Sequence, residues 1–176
     1  FWLMGFEYQV LKQKFGITLK DVAEIYPNAS SPQDLLRQVQ TDFMFTSAAV
    51  GMPAFASQRA PAWAYHFDYV PQDKRETQAG AAHCADMNYL FGLTPATSDG
   101  DRKTAERLRD YWAAFIKHGN PNTGSEHPLW PQAAEHQSRV LLIDQDGAHP
   151  QAKFSPKAMN FWWQKWASDS GSDRLP

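Results

Sequence analysis

The sequence predicts an α/β fold in which two strands belong to a mostly parallel sheet and helices pack around them. Residues 62–69 alternate in character, with Trp63, Tyr65, Phe67 and Tyr69 on one side and Ala62, Ala64, His66 and Asp68 on the other, the period of a pleated strand. Residues 139–144 carry the aliphatic run Val140, Leu141, Leu142 and Ile143 between polar neighbours, as a buried strand does. Apolar stripes at helical spacing fill most of the remainder, and strands interspersed with helices make a layered α/β arrangement. At 176 residues and 43% hydrophobic the chain can fill one core, and with no internal repeat and no long linker, residues 1–176 read as part of a single domain.

The elements follow in order. Tyr8, Leu11 and Phe15 mark a short helix over 5–15 that Gly16 stops. Thr18 with Asp21 three residues on is an N-cap followed by an acidic first turn, and Leu19, Val22, Ile25 and Tyr26 form the stripe before Pro27. Ser31-Pro32 opens a third helix with its face at Leu35, Leu36, Val39 and Phe43, which Gly51-Met52-Pro53 should break or kink. After the strand at 62–69, residues 71–77 are a polar surface loop leading to Gly80-Ala81-Ala82-His83. The strongest helix runs over 102–118, with Asp101 as N-cap, Ala105, Leu108, Trp112 and Phe115 as its stripe, and Gly119-Asn120-Pro121 as its stop. Residues 121–131 are turn-rich. Ser155-Pro156 opens the last helix, with Met159, Trp162, Trp163 and Trp166 inward, and residues 168–176 should fray.

Composition removes several function classes. Seventeen Lys and Arg against nineteen Asp and Glu give a net charge of -2, so the sequence carries no electrostatic footprint for nucleic acid or an anionic membrane. No run approaches the roughly 18 apolar residues of a membrane span. The single cysteine, Cys84, excludes an internal disulfide and a multi-cysteine zinc site, and the six histidines form no i, i+4 pair, so neither a metal nor a cofactor is expected. The dense aromatics fit either a cleft for apolar groups or an interface. A chain that starts on Phe1-Trp2-Leu3 reads as a fragment of something longer.

His118 in a last helical turn is explained by the helix dipole, His127, His136 and His149 fall in polar loops as solvated side chains, and His66 reads as a structural strand histidine. His83 differs, because Gly80-Ala81-Ala82 before it makes a permissive turn and Cys84-Ala85-Asp86 after it starts a new element. An imidazole held on a loop after a strand is placed as a general base needs to be. Cys84 points away from its neighbour on an extended chain, so a thiol–imidazole pair is disfavoured and a small buried apolar role is expected. The sequence contains no G-x-S-x-G, G-x-G-x-x-G or phosphate loop, so a complete nucleophile site is missing from these residues.

The stretch Gly80-Ala-Ala-His83-Cys-Ala-Asp86-Met-Asn-Tyr89-Leu90-Phe91-Gly92 resembles the signature around the catalytic histidine of type B carboxylesterases, the family of cholinesterases and bacterial para-nitrobenzyl esterases. The order of the family continues in the extended segment around Tyr65 and Phe67 upstream and, downstream, in Tyr111-Trp112-Ala-Ala-Phe115 through Gly119-Asn120-Pro121-Asn122 and then Leu129-Trp130-Pro131. The resemblance covers essentially the whole chain and corresponds to about the last third of such an enzyme. It implies the C-terminal part of an α/β-hydrolase fold, with a serine and an acid lying upstream and His83 the last member of the triad. His83 would then take the serine proton and return it to the leaving alcohol of a small carboxylic ester, needing no metal or cofactor and only the missing N-terminal part as a partner.

By the same resemblance Asp86 supports the site three residues after the histidine, although a first-turn helix acid explains it nearly as well. Tyr89 and Phe91 fall on aromatic positions of the signature and read as packing residues. The lone cysteine departs from the disulfide of the vertebrate members and favours a microbial type. A non-catalytic relative used for adhesion or protein binding is the alternative, and retention of His83 weighs against it. An isolated segment would be inactive, and a bare sheet edge would favour self-association.

Overall fold

Capping chemistry and apolar spacing place most elements where the sequence puts them. The structure, a computed structural model, describes residues 16–93, 95–124 and 126–170, with 9, 12 and 13 besides. The helix expected over 5–15 therefore lies outside the described residues except at 9, 12 and 13, as does the tail beyond 170. The chain divides into two compact units, Phe1–Ala62 with Ala133–Ser138 and Lys153–Pro176, and Trp63–Gln132 with Arg139–Ala152.

The first unit is helical. Helix α1 (Leu19–Ala23) starts at a capping box in which Thr18 and Asp21 satisfy each other's backbone N–H. Helix α2 (Pro32–Thr41) is capped by Ser31, passes without a break through a π-helical turn at Asp42–Thr46 and becomes α3 (Ser47–Ala56). Of the break or kink expected at Gly51-Met52-Pro53, no break occurs: Pro53 sits inside α3, beside the buried Val50, Gly51 and Ala54. Helix α6 (Pro156–Ser170) extends into the segment expected to fray. Its Met159, Trp162 and Trp163 join the core formed by Val22, Tyr26, Val39 and Val50. The Trp162 indole donates to the Tyr26 hydroxyl at 2.7 Å, and that hydroxyl donates to Asp42 at 2.9 Å, so each buried polar atom has a partner.

The second unit holds the sheet. Strand β1 (Tyr65–Phe67) lies parallel to β2 (Val140–Asp144), with Tyr65 opposite Leu141 and Phe67 opposite Ile143. The regular strand is shorter than 62–69, although Asp68 N–H still bonds to the Ile143 carbonyl at 2.7 Å and Trp63 bridges Gln132. The mostly parallel expectation changes in one respect. An unforeseen strand, β3 (Gly147–Gln151), returns antiparallel to β2 through a turn in which the Asp144 carboxylate accepts the N–H groups of Asp146 and Gly147. Its Pro150 is tolerated because β3 is at an edge, and β1 forms the other edge among the described residues.

Helix α4 (Ala85–Phe91) and helix α5 (Asp99–His118) cover this sheet's core. Leu108, Tyr111, Trp130, Leu141, Ile143 and Ala148 are buried, and Trp63, Tyr65 and Phe67 pack against them on the face the alternation assigns. Helix α5 begins three residues earlier than expected: Ser98 is the N-cap, and Asp101 is the third helical residue that reaches back to it. Gly119 ends the helix in the left-handed conformation, φ 68°, as its position predicts.

Candidate functional site

His83 is exposed in the turn immediately before α4, at the end of a long connection from β1 that includes a 3-10 turn at Gln72–Lys74. The Asp68 carboxylate accepts the Ala81 N–H at 3.3 Å, and a Cβ on Gly80 would come within 3.2 Å of the same oxygen. Glycine at 80 thus permits the close approach by which the strand end clamps the turn. Ala85 N–H bonds back to the Ala82 carbonyl at 3.0 Å and Met87 N–H to the Cys84 carbonyl at 3.1 Å.

Cys84 makes the reversal itself, with φ 59° and ψ 19°, and its thiol is exposed rather than buried. The expectation of a small buried side chain fails here. A left-handed residue at the start of a helix turns its side chain out of the packing, and a non-glycine residue pays a steric cost for that conformation.

Asp86, in the first turn of α4, accepts a hydrogen bond from the Tyr65 hydroxyl at 2.5 Å. Burial pushes the Tyr65 hydroxyl well above its usual range, and the adjacent Asp86 carboxylate adds to this, while the Trp112 indole opposes it. Both roles open to Asp86 are compatible with this position: it is a first-turn acid and a side chain held within three residues of His83. Tyr89 packs against Phe67 and Tyr69 with ring centroids at 5.4 Å from each, but Phe91 is two-thirds exposed and is not a packing residue among the described residues. Their alternation on a helix explains the split, since residues two apart face different sides.

Beyond the helix, Asp101 is nearly fully buried and accepts from the Tyr69 hydroxyl, Thr97 N–H, Thr97 Oγ1 and Ser98 N–H, each at 3.0 Å. The Arg109 guanidinium donates to the carbonyls of Tyr89 and Leu90, closing the C-terminal end of α4. A cleft of about 350 Å³ runs past Ala82 and Ala85 and is walled by Tyr69, Tyr89, Asp101 and Arg109. It flanks the His83 turn, and His83 is not part of its wall. A smaller apolar hollow of about 160 Å³ lies among Trp63, Tyr65, Trp112, Phe115, Pro121 and Trp130.

Three other histidines have settings of their own. His118 is exposed in the last turn of α5, as expected. His127 is not a plain solvated side chain: its Nε2 is 2.8 Å from Asp110 Oδ2 and its ring lies 5.5 Å from Tyr111. His149 is on β3 rather than in a loop, 3.2 Å from Asp144. Among the described residues no group of three His, Cys, Asp or Glu side chains could hold a metal ion. Sequence reasoning missed Tyr65 as a partner of Asp86, Asp68 as the clamp of the turn and Asp101 as a buried acceptor. Only the i, i+3 pairing of Ser98 with Asp101 carried a readable signal.

The profile of the Carboxylesterase family matches residues 12–162. Acylcarnitine hydrolase of Rattus norvegicus is 27% identical over 150 residues, covering 79% of this chain and 26% of that protein. Phenmedipham hydrolase of Pseudarthrobacter oxydans is 28% identical over 152 residues, 78% of this chain and 30% of that one. Among solved structures, a thermophilic PNB esterase superposes with a TM-score of 0.69 at 22% identity over 90% of this chain and 33% of that chain. This likeness carries the fold, that of the α/β-hydrolase esterases, of which the small mixed sheet with its packed helices is a part. The chain spans roughly a quarter to a third of the length of these relatives.

Proposed function

The chain belongs to the carboxylesterase family, and on that premise we propose that it is the C-terminal portion of a serine carboxylic-ester hydrolase in which His83 is the general base and acid. The serine and the triad acid lie outside these 176 residues. His83 removes the serine proton as the hydroxyl attacks the ester carbonyl, carries it as an imidazolium while the tetrahedral intermediate persists, and delivers it to the departing alcohol. It then repeats the transfer with water to free the acid. The observation that supports this reading is the placement of His83: exposed, on a turn clamped by Asp68 and followed at once by a helix. A proton-transfer group has to meet a nucleophile from elsewhere in the fold without losing its orientation. Asp86 supports that orientation. Small carboxylic esters are the substrate class, and the 176 residues alone turn over none because they supply neither nucleophile nor oxyanion donors.

The test is labelling with a serine-directed fluorophosphonate, read by intact mass on the protein from its native source. Label on a longer chain that contains these residues, abolished when the same protein is inactivated at its serine, supports the reading. Absence of label on that chain and on every co-purifying chain refutes it and favours a non-catalytic relative.

A further inference from the structure

We infer that Tyr65 is a positioning residue for His83, acting through Asp86 from the strand beneath the turn. Tyr65 opens the β1–β2 ladder, opposite Leu141, and its ring packs edge-on against the buried Trp130 at 5.5 Å, so its hydroxyl is held by the sheet rather than by the loop. That hydroxyl donates to Asp86 at 2.5 Å. The bond ties the strand to the short helix that begins directly after His83 and Cys84. Helix α4 has seven residues and no side-chain cap at its N-terminus, so only the Ala85–Ala82 and Met87–Cys84 backbone bonds fix its first turn locally. The Tyr65–Asp86 bond supplies the missing constraint, and its charge-assisted character makes it one of the stronger ties available to a carboxylate.

The functional consequence rests on the esterase reading of His83, whereas the contact itself does not. The test uses the longer protein that contains these residues, with selectively labelled histidine and His83 assigned by substitution. Tyr65→Phe keeps the ring and its packing but removes the donor. It should displace the His83 Cε1–H resonance, leave those of His118 and His136 in place, and speed amide exchange at Ala85 and Met87 by about tenfold, the ratio expected when one charge-assisted hydrogen bond is lost. In the Asp86→Asn background Tyr65→Phe should add little, since the path runs through the carboxylate. Phe67→Leu, two residues along the same strand, is the packing control and should lower the melting temperature without moving His83.

The proposal is overturned if Tyr65→Phe leaves His83 and the two amides unchanged, if Phe67→Leu moves His83 as much, or if Tyr65→Phe acts equally in the Asp86→Asn background. These results are separable from the activity. A moved His83 resonance with no fluorophosphonate label on any associated chain keeps the positioning role and removes the esterase reading. Label with an unmoved resonance does the reverse.

Discussion

Removal of the Asp101 carboxylate is the sharpest test of how the second unit is held. Its Oδ2 accepts three donors from Thr97 and Ser98 at 3.0 Å, and its Oδ1 accepts the Tyr69 hydroxyl at 3.0 Å with the Tyr89 hydroxyl further off at 3.5 Å. In Asp101→Ala the Thr97 and Ser98 donors lie near the surface and can turn to water, but the Tyr69 hydroxyl is buried at 2% exposure of its residue. One stranded hydroxyl, a lost capping box and a small cavity together should cost about 4 kcal/mol. Asp101→Asn keeps the shape and part of the acceptor set and should cost about 2 kcal/mol. Burial pushes the Asp101 carboxyl upward, but the hydrogen bonds from Tyr69, Thr97 and Ser98 outweigh it, and the group ends below its ordinary range. Its contribution is therefore fully present above the unfolded value near 3.9 and is lost as the pH falls through the lower folded value. Urea unfolding of the three proteins should show a constant gap between pH 5 and 8 that narrows below about pH 4. The depressed carboxyls of Asp21 and Asp34 cancel, because all three proteins share them. A variant within about 0.5 kcal/mol of the parent at pH 7, or a gap that persists in acid, would falsify the account of Asp101 as a buried anion.

Three further outcomes are expected. Burial raises the hydroxyl pKa of Tyr26, Tyr65, Tyr69, Tyr89 and Tyr111, the last to about 12, so absorbance titration at constant fold should show these rings ionising late. Because the folded values lie above the unfolded 10, their stabilisation is complete below pH 10 and declines as the pH rises beyond it, and alkaline unfolding that begins well below pH 10 would contradict this. Cys84→Gly should stabilise the fold by up to about 1 kcal/mol, read as a higher urea midpoint, since glycine accepts the left-handed conformation and the exposed thiol gives up no packing; a lowered midpoint would show that the side chain is held by something else. In the first unit, Trp162→Phe should cost about 2 kcal/mol through lost volume and the lost bond to Tyr26, measured as a fall in melting temperature, and a neutral variant would refute the role given to that pair.

The fold was legible wherever one physical signal dominated. Thr18 with Asp21 and Ser31 with Pro32 announce helix starts because a short polar side chain and an N–H-free residue solve the same end problem, and both starts are where they should be. The aliphatic run at 140–143 is a buried strand, and the odd-numbered aromatics of 63–67 face the core. Signals failed where tertiary packing outweighed local preference. Pro53 stays inside α3 because three neighbours are buried there, and β3 escaped notice because an edge strand with Pro150 and His149 has none of the usual composition. Asp101 looked like an N-cap because Ser98 and Asp101 carry interchangeable capping chemistry, and only the geometry separates first from third position.

The site was legible as a turn and illegible as a set of contacts. His83 could be placed from Gly80 and the helix start at Ala85, since both are local features. Its supports come from Asp68 and Tyr65, 15 and 18 positions away, and no local pattern encodes them. They nonetheless share one source. Tyr65 lies on the aromatic side of β1 and holds Asp86 on the C-terminal flank of the turn, whereas Asp68, of opposite parity, holds Ala81 on the N-terminal flank. The strand and the residue just past its end hold the turn at its two flanks, so the alternation that turns Tyr65 inward also separates the two clamps. Register then matters twice: a one-residue slip against β2 would expose the aromatic face and exchange the positions of both clamps. The pairing of Tyr65 with Leu141 is thereby as much a determinant of where His83 stands as any residue of the turn that carries it.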